Sequence, residues 1–312
     1  MGSQSAAGLR AWAAGSGVRL RIEDDRSDPG LSARLASELA GVADLFFGPY
    51  GSGPGRAVAE AMAARPEVIW NHGAAATART GARMVDVLGP AESYWRGLAG
   101  ALAAQAGGTR VALVAAPGGF AAAVHEGARR ALEDAGVAPV ATGDLAAEEP
   151  AVVVARAVAA GAAWIVGGGR IEDDLALARE AADAGLRAAL VVCGVHVVLE
   201  QLGDRVVGWL GPVQWDGDTG RLPLPLPPDA DYPAAQALAA GILAGRALAL
   251  AGTTEPAAIW DVARALRTST FLGPFAIDVE GRQTAHAPAI VRWEPGSAGP
   301  VRRVVWRPPA TA

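Results

Sequence analysis

Short apolar runs alternate along the chain with amphipathic, alanine-rich segments, and the alternation predicts strands and helices in turn. The runs at 18–25 (VRLRIEDD), 43–49, 67–71, 110–117, 162–169 and 188–194 read as strands. Helices are predicted over 31–40, 55–66, 94–107, 120–136 and 173–185. Gly136 closes the fourth of these, and acids open the fifth, where they complement the helix dipole. Alternation of this kind calls for parallel sheets covered by helices. From 216 to 231 the periodicity is lost in the proline-rich DGDTGRLPLPLPPDAD, which reads as a crossing or linker. Two helices follow at 232–252 and 255–269, then the turn-rich FLGPFAIDVEGRQ. The closing runs APAIVRWEP and VRRVVWRP read as antiparallel additions to a sheet.

In parallel sheets ligands gather at the carboxyl ends of strands. Here those ends carry GPYGSG (48–53), NHGAAAT (71–77), PGGF (117–120), GGGR (167–170) and CGVH (193–196). Small residues let a ligand approach the backbone, and helix N-termini offer free N–H groups to anions. Each loop adds one larger side chain: Tyr50, His72, Phe120, Arg170 and His196. A few polar anchors on a small or apolar wall are the profile of a binding cleft.

Catalytic patterns are weaker. GPYGSGPG lacks the spacing and the lysine of a phosphate-binding P-loop, and GGGR lacks GxGxxG. Ser52 has Tyr50 two positions before it, so no nucleophile elbow is present. The histidines form no metal-binding pair, and neither a metal nor a cofactor is expected. Glu23, Asp24 and Asp25 read as a solvated loop or as hydrogen-bond acceptors beside a helix N-terminus. Trp12, Trp164, Trp209 and Trp260 read as core; Tyr50, Trp70 and Trp215 could be core or cleft. His125 and His286 read as solvated, and Arg170 could pair with Glu172 or Asp173 at the surface instead of meeting a ligand.

Composition narrows the picture further. The chain has 312 residues, 51% of them hydrophobic, enough for two packed domains. All 27 basic residues are arginine and no basic tract exists, so nucleic acid is not an expected partner. The single cysteine, Cys193, excludes an intrachain disulfide and sits in an apolar run as a buried, inert thiol. No run of about 18 apolar residues without charges predicts a membrane span. The first residues lack the pattern of a signal peptide.

The ordered motifs carry a resemblance. LFFGPYGSG, DRVVGWLGPVQW, the long helix from Tyr232, the second helix, and TFLGPFAIDVEG with its T-x-L/F-G-P-x-x-x-D-x-x-G spacing follow one another as in a known family. The chain resembles the periplasmic substrate-binding proteins of branched-chain amino acid and amide ABC transporters, of the type I periplasmic-binding-protein fold, over some 290 residues. The resemblance implies an α/β fold of two Rossmann-like lobes with parallel central sheets, joined by a three-segment hinge around a ligand. By position the first lobe is 1–91 plus 216–284 and the second 92–215 plus 285–312. Ser52 stands where the family holds a ligand carboxylate. Gly73 and Ala75 stand where a backbone carbonyl and a Thr hydroxyl or amide meet an amino-acid group. Ala75 lacks that hydroxyl, which leaves Thr77, Asn71 and His72 as polar candidates. Phe120 stands near an aromatic that covers the ligand, Arg170 where a second aromatic is usual, and His196 where amino-acid binders carry an acid. Without that acid a buried ammonium has no partner, while Arg170 suits an anion.

The expected function is therefore the solute-binding component of an ABC importer, without catalysis, taking a small polar metabolite and meeting permease subunits. The alternatives are a ligand-sensing module of the same fold and, from another class, a hydrolase or dehydrogenase using His72 or His196. Residue 1 falls close to the family's first helix, so the first strand of the first lobe is expected to be missing, with the native start upstream or the chain a truncated form. Location is periplasmic or extracellular if a signal sequence precedes, and cytoplasmic if the chain starts at Met1.

Overall fold

The computed structural model describes residues 1–75, 81–105 and 108–308. Elements are numbered along the chain. The chain falls into two compact units: Met1–Pro90 with Gly217–His286, and Ala91–Asp216 with Ala287–Pro309.

The first unit is built on a parallel sheet ordered β1 (Phe46–Phe47), β2 (Val68–Asn71), β3 (Arg83–Asp86). β2 is buried at every position, as its uninterrupted VIWN pattern requires of a middle strand. On one face α2 (Pro29–Leu39) and α3 (Ser52–Ala61) close a core of Phe46, Val58, Met62, Ile69 and Met84. The other face packs on α9 (Tyr232–Ala251) and α10 (Pro256–Ala265), with Trp70 wholly buried. A short hairpin, β9 (Thr268–Thr270) and β10 (Gly273–Phe275), follows.

Alone among the described helices, α9 is long and apolar enough to cross a membrane by length and composition, yet most of it is buried within this unit. It packs against α1 (Gly2–Ser16) so closely that a Cβ on Gly8 would stand 2.0 Å from the Ala234 carbonyl oxygen.

Two sequence expectations fail in this unit. Residues 18–25 form no strand: Val18 and Leu20 lie on the Trp12 cluster, Ile22 is exposed, and no strand among the described residues pairs with them. Their alternation is satisfied by one-sided packing, since it specifies a face and not a ladder partner. The acids beyond them shape the turn. Asp24 and Asp25 accept from the N–H groups of Arg26 and Ser27, and Asp28 caps α2 through Leu31 N. The proline-rich stretch expected as a linker is a strap. Leu222, Leu224 and Leu226 are half-buried on the cluster of Leu9, Trp12 and Leu238, with the intervening prolines outward.

The second unit holds a seven-stranded sheet ordered β12-β11-β8-β7-β6-β4-β5. Its strands are β4 (Val111–Ala115), β5 (Ala141–Asp144), β6 (Trp164–Val166), β7 (Arg187–Ala189), β8 (Leu210–Val213), β11 (Ala289–Glu294) and β12 (Val301–Trp306). β4 to β8 run parallel, and β11 pairs antiparallel with β8 and β12, as the late apolar runs predict. The helices are α4 (Leu98–Ala103), α5 (Gly119–Asp134), α6 (Pro150–Ala159), α7 (Ile171–Asp183) and α8 (Val197–Leu202). Trp209 and Trp293 lie in the main core with Val153 and Val154 of α6, and Trp164 is also fully buried. The predicted strand 188–194 stops at Ala189; Val191–Gly194 is a 3-10 turn.

Candidate functional site

In the first unit the loops after β1 and β2 lie side by side. Tyr50 bridges to Gly73, and the Gly51 N–H donates to the Gly73 carbonyl at 3.0 Å. A Cβ on Gly73 would meet Tyr50 Cδ2 at 2.5 Å, so the Tyr50 ring needs a glycine beneath it. The Tyr50 hydroxyl donates to that of Tyr232, at the start of α9, at 2.9 Å. Burial raises the pKa of Tyr232. Ser52, half-buried, is the first residue of α3, where the N–H groups of the opening turn have no helical acceptor.

Asn71 ends β2 beside Asp86 of β3 and is 2% exposed. Its amide nitrogen donates to the Ala74 carbonyl at 2.7 Å and to Asp86 Oδ1 at 2.8 Å. Its Oδ1 accepts from the N–H groups of Ala74 at 2.8 Å and Gly73 at 3.2 Å. Both donors and both lone pairs are occupied by the protein, so Asn71 shapes the loop and has no capacity left for a ligand. His72 is 3% exposed, and burial lowers its pKa to about 4, against a backbone hydrogen bond that pulls it up. Its ring is therefore neutral at physiological pH. Nδ1 has no partner among the described residues. Ala75 is half-buried, and Thr77 lies outside the described residues.

In the second unit Phe120, in the first turn of α5, stands edge-to-face with Tyr94, ring centroids 5.6 Å apart and planes at 80°. Next to Tyr94, the indole N–H of the fully buried Trp95 donates to the Gly167 carbonyl at 3.2 Å. Arg170 is exposed and pairs with Asp173 at 3.0 Å, which raises its pKa: the surface-pair reading holds in this structure. His196 is exposed and lies edge-on to Trp293, centroids 5.8 Å apart. Cys193 is fully buried, and burial pushes its thiol pKa far up. Trp70 and Trp215 are buried, so of the ambiguous aromatics Tyr50 alone stands half-exposed on a site loop. His286 is buried and His125 half-buried, contrary to the expectation that both are solvated.

Sequence reasoning missed Tyr94, Trp95, Tyr232 and Asp174. The first two open the segment 94–107, read as a helix. The signal for Asp174 was present: it shares the face of Ala178 and Ala181, a buried stripe in α7. Among the described residues no group of three or more His, Cys, Asp and Glu side chains could hold a metal ion.

A family model described as periplasmic binding protein matches residues 1–300. The chain belongs to that family. Among curated proteins nothing matches it. As in other periplasmic binding proteins of known structure, its fold is that of ABC transporter solute-binding proteins. One similar structure, from Sphaerobacter thermophilus, is an ABC transporter substrate-binding protein at 18% identity and TM-score 0.80, covering 98% of this chain and 93% of that one. Another is the solute-binding protein from Rhodopseudomonas palustris HaA2 with p-hydroxybenzoic acid, at 16% identity and TM-score 0.79, covering 99% and 93%. A leucine binding protein from Thermotoga maritima MSB8 aligns at 13% identity and TM-score 0.77, covering 98% and 94%. The resemblance read from the ordered motifs is thus borne out over nearly the whole chain.

Proposed function

We propose that this periplasmic binding protein is the solute-binding component of an ABC importer and that its solute is a small carboxylate with an apolar or aromatic body. The observation that carries the reading is the chemistry of the strand-end loops. In the first unit Ser52 stands at the N-terminus of α3, where its hydroxyl and the positive end of the helix dipole suit a carboxylate. His72 adds an uncharged imidazole. In the second unit the Phe120–Tyr94 pair offers an aromatic face. None of the positions Tyr50, Ser52, His72, Gly73, Ala75, Phe120, Arg170 and His196 is an acid that would neutralise an α-ammonium, which separates this set from that of an amino-acid binder. The aromatic acid held by the Rhodopseudomonas palustris relative fits the same description.

The two compact units are the family's two lobes, and the chain crossings at residues 90–91, 216–217 and 286–287 are its hinge. The protein acts outside the cytoplasmic membrane and delivers its solute to permease subunits. Catalysis has no part in this role.

Thermal unfolding in the presence of 4-hydroxybenzoate, benzoate, leucine and acetamide tests the reading. A ligand at a hundred times its Kd contributes about 2.7 kcal/mol, a shift of roughly 5–10 °C for a domain of this size. The expected result is a shift with the aromatic acids and none with leucine or acetamide. A shift with leucine alone reassigns the solute to amino acids, and no shift with any of them sinks the carboxylate reading.

A further inference from the structure

The loops that follow β6 and β7 meet at one side chain. Asp174, in the first turn of α7, is 2% exposed. Its Oδ1 accepts from the Gly169 N–H at 2.7 Å, and its Oδ2 accepts from the Val192 N–H at 2.9 Å. The Val191 N–H also bonds to it. The carbonyls of the same loops are held from other directions. Trp95 Nε1 donates to Gly167 O, Trp293 Nε1 donates to Cys193 O at 2.8 Å, and the Arg302 guanidinium donates to Gly194 O. Indoles and a guanidinium can only donate, so they hold carbonyls. The inward N–H groups need an acceptor, and one carboxylate supplies it for both loops.

We propose that Asp174 is a positioning residue that couples loop 167–170 to loop 190–194 of the second unit, and that proton loss from its carboxyl loosens the pair together. A carboxylate offers both oxygens to N–H donors. A carboxylic acid forfeits one of those bonds but escapes the larger cost of a buried charge, a cost that opening of the loops to water relieves. The proton exchanges near neutrality: burial pushes the Asp174 pKa up to about 7, outweighing the N–H groups of Val192 and Gly169, which pull it down. Asp173 on the same helix adds to the rise and is itself paired with Arg170, and the Cys193 thiol faces it from the 3-10 turn. On neighbouring elements Arg156 of α6 is occupied by Glu148, Glu200 of α8 is exposed, and Arg187 of β7 lies over the Trp164 ring. The consequence for solute binding rests on the reading of these loops as a ligand-binding surface, whereas the coupling itself does not.

The test has two arms. Amide hydrogen exchange on the ligand-free protein, expressed as protection factors from pH 6 to 8, follows Gly169 and Val192. Both are expected to lose protection together, about tenfold, as pH rises through 7, and to lose that pH dependence in Asp174→Asn. Amides that keep steady protection in the wild type across this range, or that change independently, overturn the proposal, and this holds even if the variant does not fold. The second arm measures 4-hydroxybenzoate affinity by calorimetry. Asp174→Asn is expected to weaken binding about tenfold and flatten its pH profile, with Asp174→Glu restoring part of both. If the amides respond but the wild type binds no aromatic acid, the coupling stands and the solute reading fails. If the wild type binds with affinity that neither pH nor Asp174→Asn alters, the positioning role fails.

Discussion

At Gly73 a methyl group is enough to disturb the first unit's loops. A Cβ there would lie 2.5 Å from the Tyr50 ring and 3.0 Å from Tyr50 Cα, so Gly73→Ala displaces Tyr50 and strains its hydroxyl bond to Tyr232. The expected result is a loss of solute affinity of tenfold or more with a stability cost of about 1–3 kcal/mol, read by calorimetry and by denaturant unfolding. Unchanged affinity would mean that Tyr50 does not shape the binding surface. The loop's place at a strand end, and its small residues, were legible in NHGAAAT. What the side chains do there was not. Asn71 looked like a polar anchor, yet the loop's own backbone and Asp86 fill all its hydrogen-bonding capacity. His72 looked like a base, and burial makes it a neutral ring. Arg170 looked like an anion ligand and found Asp173 three residues away. In each case the deciding quantity is burial or a local partner, which residue type alone does not encode.

Helices with a full amphipathic period emerged close to their positions in the structure, because an apolar stripe over three turns is a redundant signal. Short elements did not. β3 has four residues, and β5, ATGD, alternates half-buried and exposed without an apolar run. α6, PAVVVARAVA, is rich in β-branched residues that mask a helix, although Pro150 at its first turn was the available sign. The strap at 222–228 misled for the opposite reason. Its prolines announce irregular backbone, but its leucines at every second position bury themselves on α1 and α9. The α1–α9 contact itself depends on Gly8, whose missing side chain lets the helix meet the Ala234 carbonyl. Gly8→Ala gains helix propensity, about 1 kcal/mol, but must push the helices apart. A net loss of stability is expected in the first unit's unfolding transition, with solvent access to Trp12 rising in fluorescence quenching. A variant more stable than the wild type would show that the contact yields at no cost.

Across the whole molecule two buried ionisable groups oppose each other. His72, in the first unit, is held to a pKa of about 4, below the ordinary 6.5. A lowered folded pKa means stability that is complete above pH 6.5 and lost as pH falls towards 4, on the order of 3 kcal/mol. Asp174, in the second unit, is raised from 3.8 to about 7. A raised folded pKa means stability that is complete below pH 3.8 and lost as pH rises through 7, on the order of 4 kcal/mol. The Asp174 carboxylate makes the better hydrogen bonds and still costs more to bury, so the loops and the unit weaken together as it ionises. The exposed ion pairs do not mask this: Glu126, held by Arg129 and Arg130 to about 2, titrates below the window. If the units melt separately, acidification from pH 7 to 4 moves the two calorimetric transitions in opposite directions. If they melt as one, the profile is nearly flat over that range, and the single variants uncover it. His72→Gln leaves a protein that gains stability on acidification, and Asp174→Asn leaves one that loses it. Measured by calorimetry at half-unit pH steps, slopes of the same sign in both variants would contradict the assignment of these two groups.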